Sequence, residues 1–179
     1  MSARVTLTQD RLLIFHALEV LNLITDRLER DDAVDPGDMQ TVLQFLHGVA
    51  HRCLDYREEL LKHPALSKAD GQARLRVDDS LRLHRQVHGI FKELMTELRK
   101  GKAQEFVLLS RAYTNLFADL IFKEDVVLPD LIASFFDGES DQLALIEFEK
   151  CERHLCSEAR QLCSALHQME MKYTSPHCI

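Results

Sequence analysis

Apolar residues recur three and four positions apart through most of this chain, which is the spacing of one face of an α-helix. From about Thr8 to Arg30 the stripe carries Leu13, His16, Ala17, Val20, Leu23, Ile24 and Arg27, with Thr8 as N-cap. Asp31–Asp35 reads as a polar loop, and Asp35-Pro36 as the N-cap and first residue of a second helix running to about Lys62. Its stripe holds Leu43, Leu46, His47, Ala50, Leu54, Arg57, Glu58 and Leu61, and Pro64 helps to stop it. The stretch from Pro64 to Ala73 reads as a loop. A third helix is predicted over Arg74–Lys100, with Gly101 suited to the position just past its end. A fourth starts near Ala103, and Pro129 inside its pattern predicts a break or kink. Asp137-Gly138 reads as a stop, and a fifth helix follows from about Ser140 to Tyr173.

Four long amphipathic helices with short connections bury their stripes most simply as an up-down-up-down bundle. The expected fold is therefore all-α. Residues 1–136 form the four-helix bundle, 137–173 an additional C-terminal helix packed on it, and 174–179 a flexible tail.

Within this pattern two stretches echo each other, LDYREELLKHP at Leu54–Pro64 and LIFKEDVVLP at Leu120–Pro129. Each runs Leu, any residue, aromatic, basic, Glu, acidic, two apolar residues and then a nearby Pro. Residues four apart share a helix face, so Leu54 lies in line with Glu58 and Leu120 with Glu124. Asp55 and Asp125 point about 100° away from their neighbours. A carboxylate on a core stripe is costly unless something pairs with it. Two such carboxylates in matching contexts are expected to meet at one site.

Composition narrows the function. The chain has 179 residues, 46% hydrophobic and 28% charged, with only 6 Gly and 4 Pro, a balance that favours long helices. Its net charge of −7 argues against nucleic acid as a partner. No run of about 18 apolar residues predicts a membrane span. The N-terminal residues lack the apolar core of an export signal, so a cytoplasmic location is expected. On that basis the five cysteines (Cys53, Cys151, Cys156, Cys163 and Cys178) read as reduced thiols. The segment CERHLC could place Cys151, His154 and Cys156 near a zinc ion, but without a tight CxxC knuckle it reads as buried thiols in a packed helix. No Gly-rich phosphate loop, GxSxG or HExxH motif points to an enzyme.

In an alternating bundle His16, Glu58, His84 and Glu124 fall toward the same end, and His88 lies one turn beyond His84. Imidazoles and carboxylates from four helices make a donor set suited to iron, manganese or zinc. His51 and His47 sit one and two turns before Leu54 and could shift the site along the helix. Singly, each histidine reads better as a core residue bonded to a carbonyl or carboxylate. As a group they allow a metal-free alternative, in which Glu58 and Glu124 are satisfied by protonated histidine or by Arg57 and Lys123. Taken on their own, Arg57 and Lys123 read as a solvated face.

The segments LLIFHALEV, LDYREELLKHPAL, LRLHRQVHG and LIFKEDVVLP together resemble the hemerythrin-like (HHE) domains over nearly the whole chain. The resemblance implies a four-helix bundle holding two non-haem irons, with members that bind or sense dioxygen, nitric oxide or iron or act in iron–sulfur repair. His16, Glu58, His84 and Glu124 match the family's ligands, with His88 as an extra donor. The chain departs from the family at Leu54 and Leu120, where both His-x-x-x-Glu pairs have lost the imidazole. The resulting expectation is a non-enzymatic, iron-binding protein with an altered site, a diatomic gas as its other ligand and a homodimer left open. The alternative is a degenerate domain without metal that acts through protein contacts.

Overall fold

A computed structural model describes residues 3–59, 71–135, 138–151, 153 and 161–175, with side chains described in all of these except 3–5, 73 and 125–141. Every regular element among the described residues is helical. Helix α1 is Ala3–Glu29 and α2 is Pro36–Leu46. The chain then continues without a turn as a π-helical segment, His47–Leu54. Helices α3 (Gly71–Lys100), α4 (Ala103–Phe135), α5 (Gly138–Cys151) and α6 (Cys163–Thr174) follow.

The helix ends follow from local chemistry. Asp35 caps α2 by accepting a 2.8 Å hydrogen bond from the Gly37 amide, and Pro36 supplies a preset φ at the first position. Gly101 joins α3 to α4 with a left-handed φ of +68°, which only glycine adopts without a Cβ penalty. Asp31 takes the same conformation after α1, at φ +57°.

Contacts between side chains fix how the helices run. Ser80 and His84 of α3 meet Glu124 of α4, while Phe91 packs on Tyr113, so these two helices are antiparallel. Arg111 of α4 reaches Asn22, Asp26 and Glu29 near the end of α1, and Arg11 near its start reaches Glu124. That pair is antiparallel too. His51 and Asp55 meet His88 and His84 in reversed order, so the α2–π stretch runs against α3. The apolar core inside these four segments includes Ile14, Leu21, Phe45, Leu54, Leu94, Phe117 and Leu120, all below about 2% exposed.

Two shorter helices close the sides. Helix α6 docks on α1 and α2 through Tyr173, whose hydroxyl donates to Asp38 at 2.7 Å, and through Arg27, which donates to the Tyr173 carbonyl at 3.1 Å. Helix α5 is held by Arg57. Its guanidinium bonds Asp10 of α1, donates to the Phe148 carbonyl at 3.2 Å and lies 5.3 Å from the Phe148 ring centre.

Several expectations change. Helix α1 begins upstream of Thr8, so Thr8 is not its cap. Helix α4 runs through Pro129 without a break. Among the described residues the expected fifth helix is interrupted by a turn at Leu162, with α5 before it and α6 after it. Residues 60–70, 152, 154–160 and 176–179 lie outside the described residues, and with them the expected end of the second helix, His154, Cys156, most of the expected loop and most of the tail; the last three residues of that loop, 71–73, belong to α3. Arg57 is not on a solvated face but 1% exposed, because Asp10 and Phe148 hold its charged head inside. Cys151 and Cys163 carry thiols, but Cys53 is disulfide-bonded, so the reading of five reduced cysteines fails there. No helix among the described residues is long and apolar enough to cross a membrane.

Substituting Gly101→Ala should lower stability by about 1–2 kcal/mol, the cost of a left-handed L-residue. A Cβ there meets nothing within 4 Å, so packing adds no further term. Equilibrium urea unfolding reads the change, and an unchanged midpoint would mean that the α3–α4 turn is not left-handed.

Candidate metal centre

Glu58 and Glu124 meet, as the repeated motif predicts. Each is 1% exposed. Buried carboxylates need opposite charge and hydrogen bonds, and two side chains supply them to both. Arg11 donates to Glu58 at 2.9 Å and to Glu124 at 3.3 Å. His84 Nε2 lies 2.7 Å from Glu124 and 3.1 Å from Glu58. Ser80 donates a further bond to Glu124 at 2.5 Å. The stripe of α1 brings Arg11 inward, the π segment and its continuation bring Glu58, α3 brings Ser80 and His84, and α4 brings Glu124.

His84 links this group to a second one. Its Nδ1 is 3.1 Å from Asp55 Oδ1. With carboxylate oxygens facing both ring nitrogens, the ring is best satisfied as an imidazolium donating on both sides. Burial disfavours that charge, but Asp55, Glu124 and Glu58 outweigh it and raise the His84 pKa to about 11.

The second group is His51, Asp55 and His88. Asp55 Oδ2 bonds His88 Nε2, while His51 Nδ1 stands 3.8 Å from the same oxygen. That distance is too long for a hydrogen bond. His51 Nδ1 is buried and has no hydrogen-bond partner, whereas its Nε2 lies 2.9 Å from the Tyr113 hydroxyl. The His51 ring sits among Phe91, Tyr113 and Phe117. Burial lowers its pKa despite the adjacent Asp55, which favours the neutral ring. Burial would raise the Asp55 pKa, but the three surrounding imidazoles prevail and hold it well below the usual carboxylate range. Burial and the Asp55 charge raise the Tyr113 hydroxyl.

Each group offers three ligand atoms within 4.8 Å of one another, Glu58–His84–Glu124 and His51–Asp55–His88. Four of the five residues expected at the site (Glu58, His84, His88 and Glu124) are in or between these groups. His16 is not. It is half-buried on the other side of α1, with Nε2 3.0 Å from Glu170 of α6. Lys123 is exposed, and Arg57 serves Asp10 instead, so neither takes the role of counter-ion to the two glutamates. Leu54 and Leu120 are core residues at 1% exposure. Sequence reasoning missed Arg11, Ser80 and Asp55. The π segment explains Asp55: its amide bonds the Ala50 carbonyl five residues back, so counting at 3.6 residues per turn misplaces what lies on either side. Arg11 carried a usable signal, lying in line with Leu7, Ile14 and Leu18 at i−4, i+3 and i+7, all of which are buried.

No protein family, curated protein or solved structure is matched by this chain.

The pKa shifts set a pH profile for the metal-free chain. The raised His84 pKa contributes stability that is complete below the unfolded value of 6.5 and is lost as pH rises toward about 11. The lowered Asp55 pKa contributes stability present above 3.8 and lost as pH falls. Neutral His51 adds to the acid limb, because unfolding lets it protonate below 6.5. In excess chelator the urea midpoint should decline from about pH 7 to about pH 10, and His84→Gln should flatten that decline. Equal alkaline slopes in the two proteins would contradict an imidazolium at this position.

Proposed function

We propose that this chain is a hemerythrin-like, up-down-up-down four-helix bundle with added C-terminal helices, acting as a cytoplasmic non-haem metal-binding protein with an altered site. The observation that carries the reading is the convergence of three imidazoles and three carboxylates from three stretches of helix at one end of the core. Such a mixed nitrogen–oxygen set suits iron, with zinc and manganese as competitors. The unpartnered nitrogen of His51 supports it, since a buried polar atom without a bond is costly and a cation would satisfy it. The residues do not fit a standard di-iron centre. Leu54 and Leu120 supply no nitrogen, and Arg11 already neutralises Glu58 and Glu124. No di-iron chemistry is therefore assigned. A bound iron would supply a Lewis-acidic, redox-active centre, in keeping with sensing of oxygen, nitric oxide or iron rather than catalysis.

Arg11 favours a second reading. Its guanidinium bridges the two glutamates where a metal would otherwise bridge them, so the chain as a whole acts without metal as an interaction domain held together by this ion cluster.

Elemental analysis of the full-length protein, purified without added metal and again after anaerobic loading with iron(II), separates the two. About one transition-metal ion per chain is expected after loading, removable by chelator. A chain that holds no iron, zinc or manganese under either condition is the metal-free module.

A further inference from the structure

The two donor groups differ in a way that locates the metal. Glu58, His84 and Glu124 already have their charges matched by Arg11 and by the His84 ring itself. A cation entering there would have to displace the guanidinium that bonds both carboxylates. The second group needs no such displacement. We infer that His51 Nδ1, Asp55 Oδ2 and His88 Nε2 form a mononuclear site for a divalent transition metal, open on the side away from the glutamates. This inference rests on the metal-binding reading above and names where the ion sits.

Four observations support the assignment. His51 is 3% exposed at its side chain, and Nδ1 is its orphaned atom, aimed at Asp55. Its other nitrogen is engaged by the Tyr113 hydroxyl at 2.9 Å; an Nε2–H donated there leaves the Nδ1 lone pair for a metal, the usual arrangement for a ligating histidine. Asp55 is likewise steadied from behind, since His84 Nδ1 bonds its Oδ1 and leaves Oδ2 to the ion. Finally, a cavity of about 450 Å³ opens onto His51 and His88, with His47, Phe91, Met95 and Arg99 in its walls.

The geometry needs little adjustment. A metal about 2.0–2.2 Å from each donor places the donors about 3–3.5 Å apart. His51 and Asp55 stand at 3.8 Å and must close slightly, while Asp55 and His88 must open. The His88 side chain is 38% exposed and free to make the larger move. Two histidines and one carboxylate on adjacent helices, with positions left for water or an exogenous ligand, are the donor set of mononuclear non-haem iron(II) sites and of three-ligand zinc sites.

The test uses the full chain, stripped with chelator and titrated with cobalt(II), whose visible bands report binding at nitrogen and oxygen donors. The wild type should take one equivalent. His88→Ala and Asp55→Asn should each weaken binding by about a hundredfold or more, with circular dichroism showing that the helices remain. Millimolar imidazole should restore the bands in His88→Ala, because the vacated position faces the cavity. His16→Ala should bind as the wild type does. If His88→Ala binds cobalt normally and Glu124→Gln does not, the ion belongs with the glutamates: this inference falls while the metal-binding reading stands. If the wild type takes up no cobalt, both fall.

Discussion

Two negative charges with almost no access to water set the terms for this fold. Moving a carboxylate from water into a protein interior costs several kcal/mol even after relaxation. Glu58 and Glu124 both make that transfer, on segments more than sixty residues apart in the chain. They are tolerated because Arg11 and His84 arrive from two other helices and each touches both acids. The requirement is mutual: no single helix satisfies its own charge. Residues near the start of α1, after the π segment, early in α3 and late in α4 must therefore reach one level together. The apolar stripes drive the helices together without specifying that level, since hydrophobic burial is not directional. The ion cluster specifies it. A second buried pair, Arg57 with Asp10, repeats the device one residue away on each segment and ties in α5.

The cluster continues into the second donor group through one ring. His84 is shared, with one nitrogen toward the glutamates and the other toward Asp55. Its positive charge fixes the orientation of Asp55, and Asp55 in turn governs His88 and His51. The two histidines beyond it live under different conditions. His88 is near solvent and adaptable; His51 is enclosed by aromatic rings, neutral, and held by Tyr113. One end of the network is thus saturated with charge and closed. The other has an unused lone pair and an opening.

The sequence read well wherever regular helical spacing applied. The start of α2, the cap at Asp35, the end of α3 with its turn at Gly101 and the approach of Glu58 to Glu124 all follow from local residue preferences and from 3.6-residue periodicity. It read poorly where that period fails or where partners are distant. His16 lies on the apolar side of α1 by count, yet α6 covers that side and Glu170 takes up the ring. Nothing within α1 reveals that a helix from the far end of the chain docks there. Arg57 looked like a surface residue because long basic side chains usually are, and only the buried Asp10 on another helix turns it inward. Asp55 was set aside by angle, and the π segment just before it makes the angle unreliable.

The leucines at 54 and 120 now have a physical interpretation. Each occupies the core one helical turn before a buried glutamate and is 1% exposed. Leucine donates nothing, so the two carboxylates draw their partners from other helices. A guanidinium suits that role, because its fork of N–H groups can serve two carboxylates at once and its charge does not depend on pH. Arg11 does this for both acids. Once it is in place, a cation between Glu58 and Glu124 is redundant, and positive charge there would be repelled. Any metal bound by this helical fold must then sit beyond the reach of Arg11 and still find nitrogen and oxygen donors. Within the described residues the His51–Asp55–His88 group meets both conditions, separated from the guanidinium by the His84 ring.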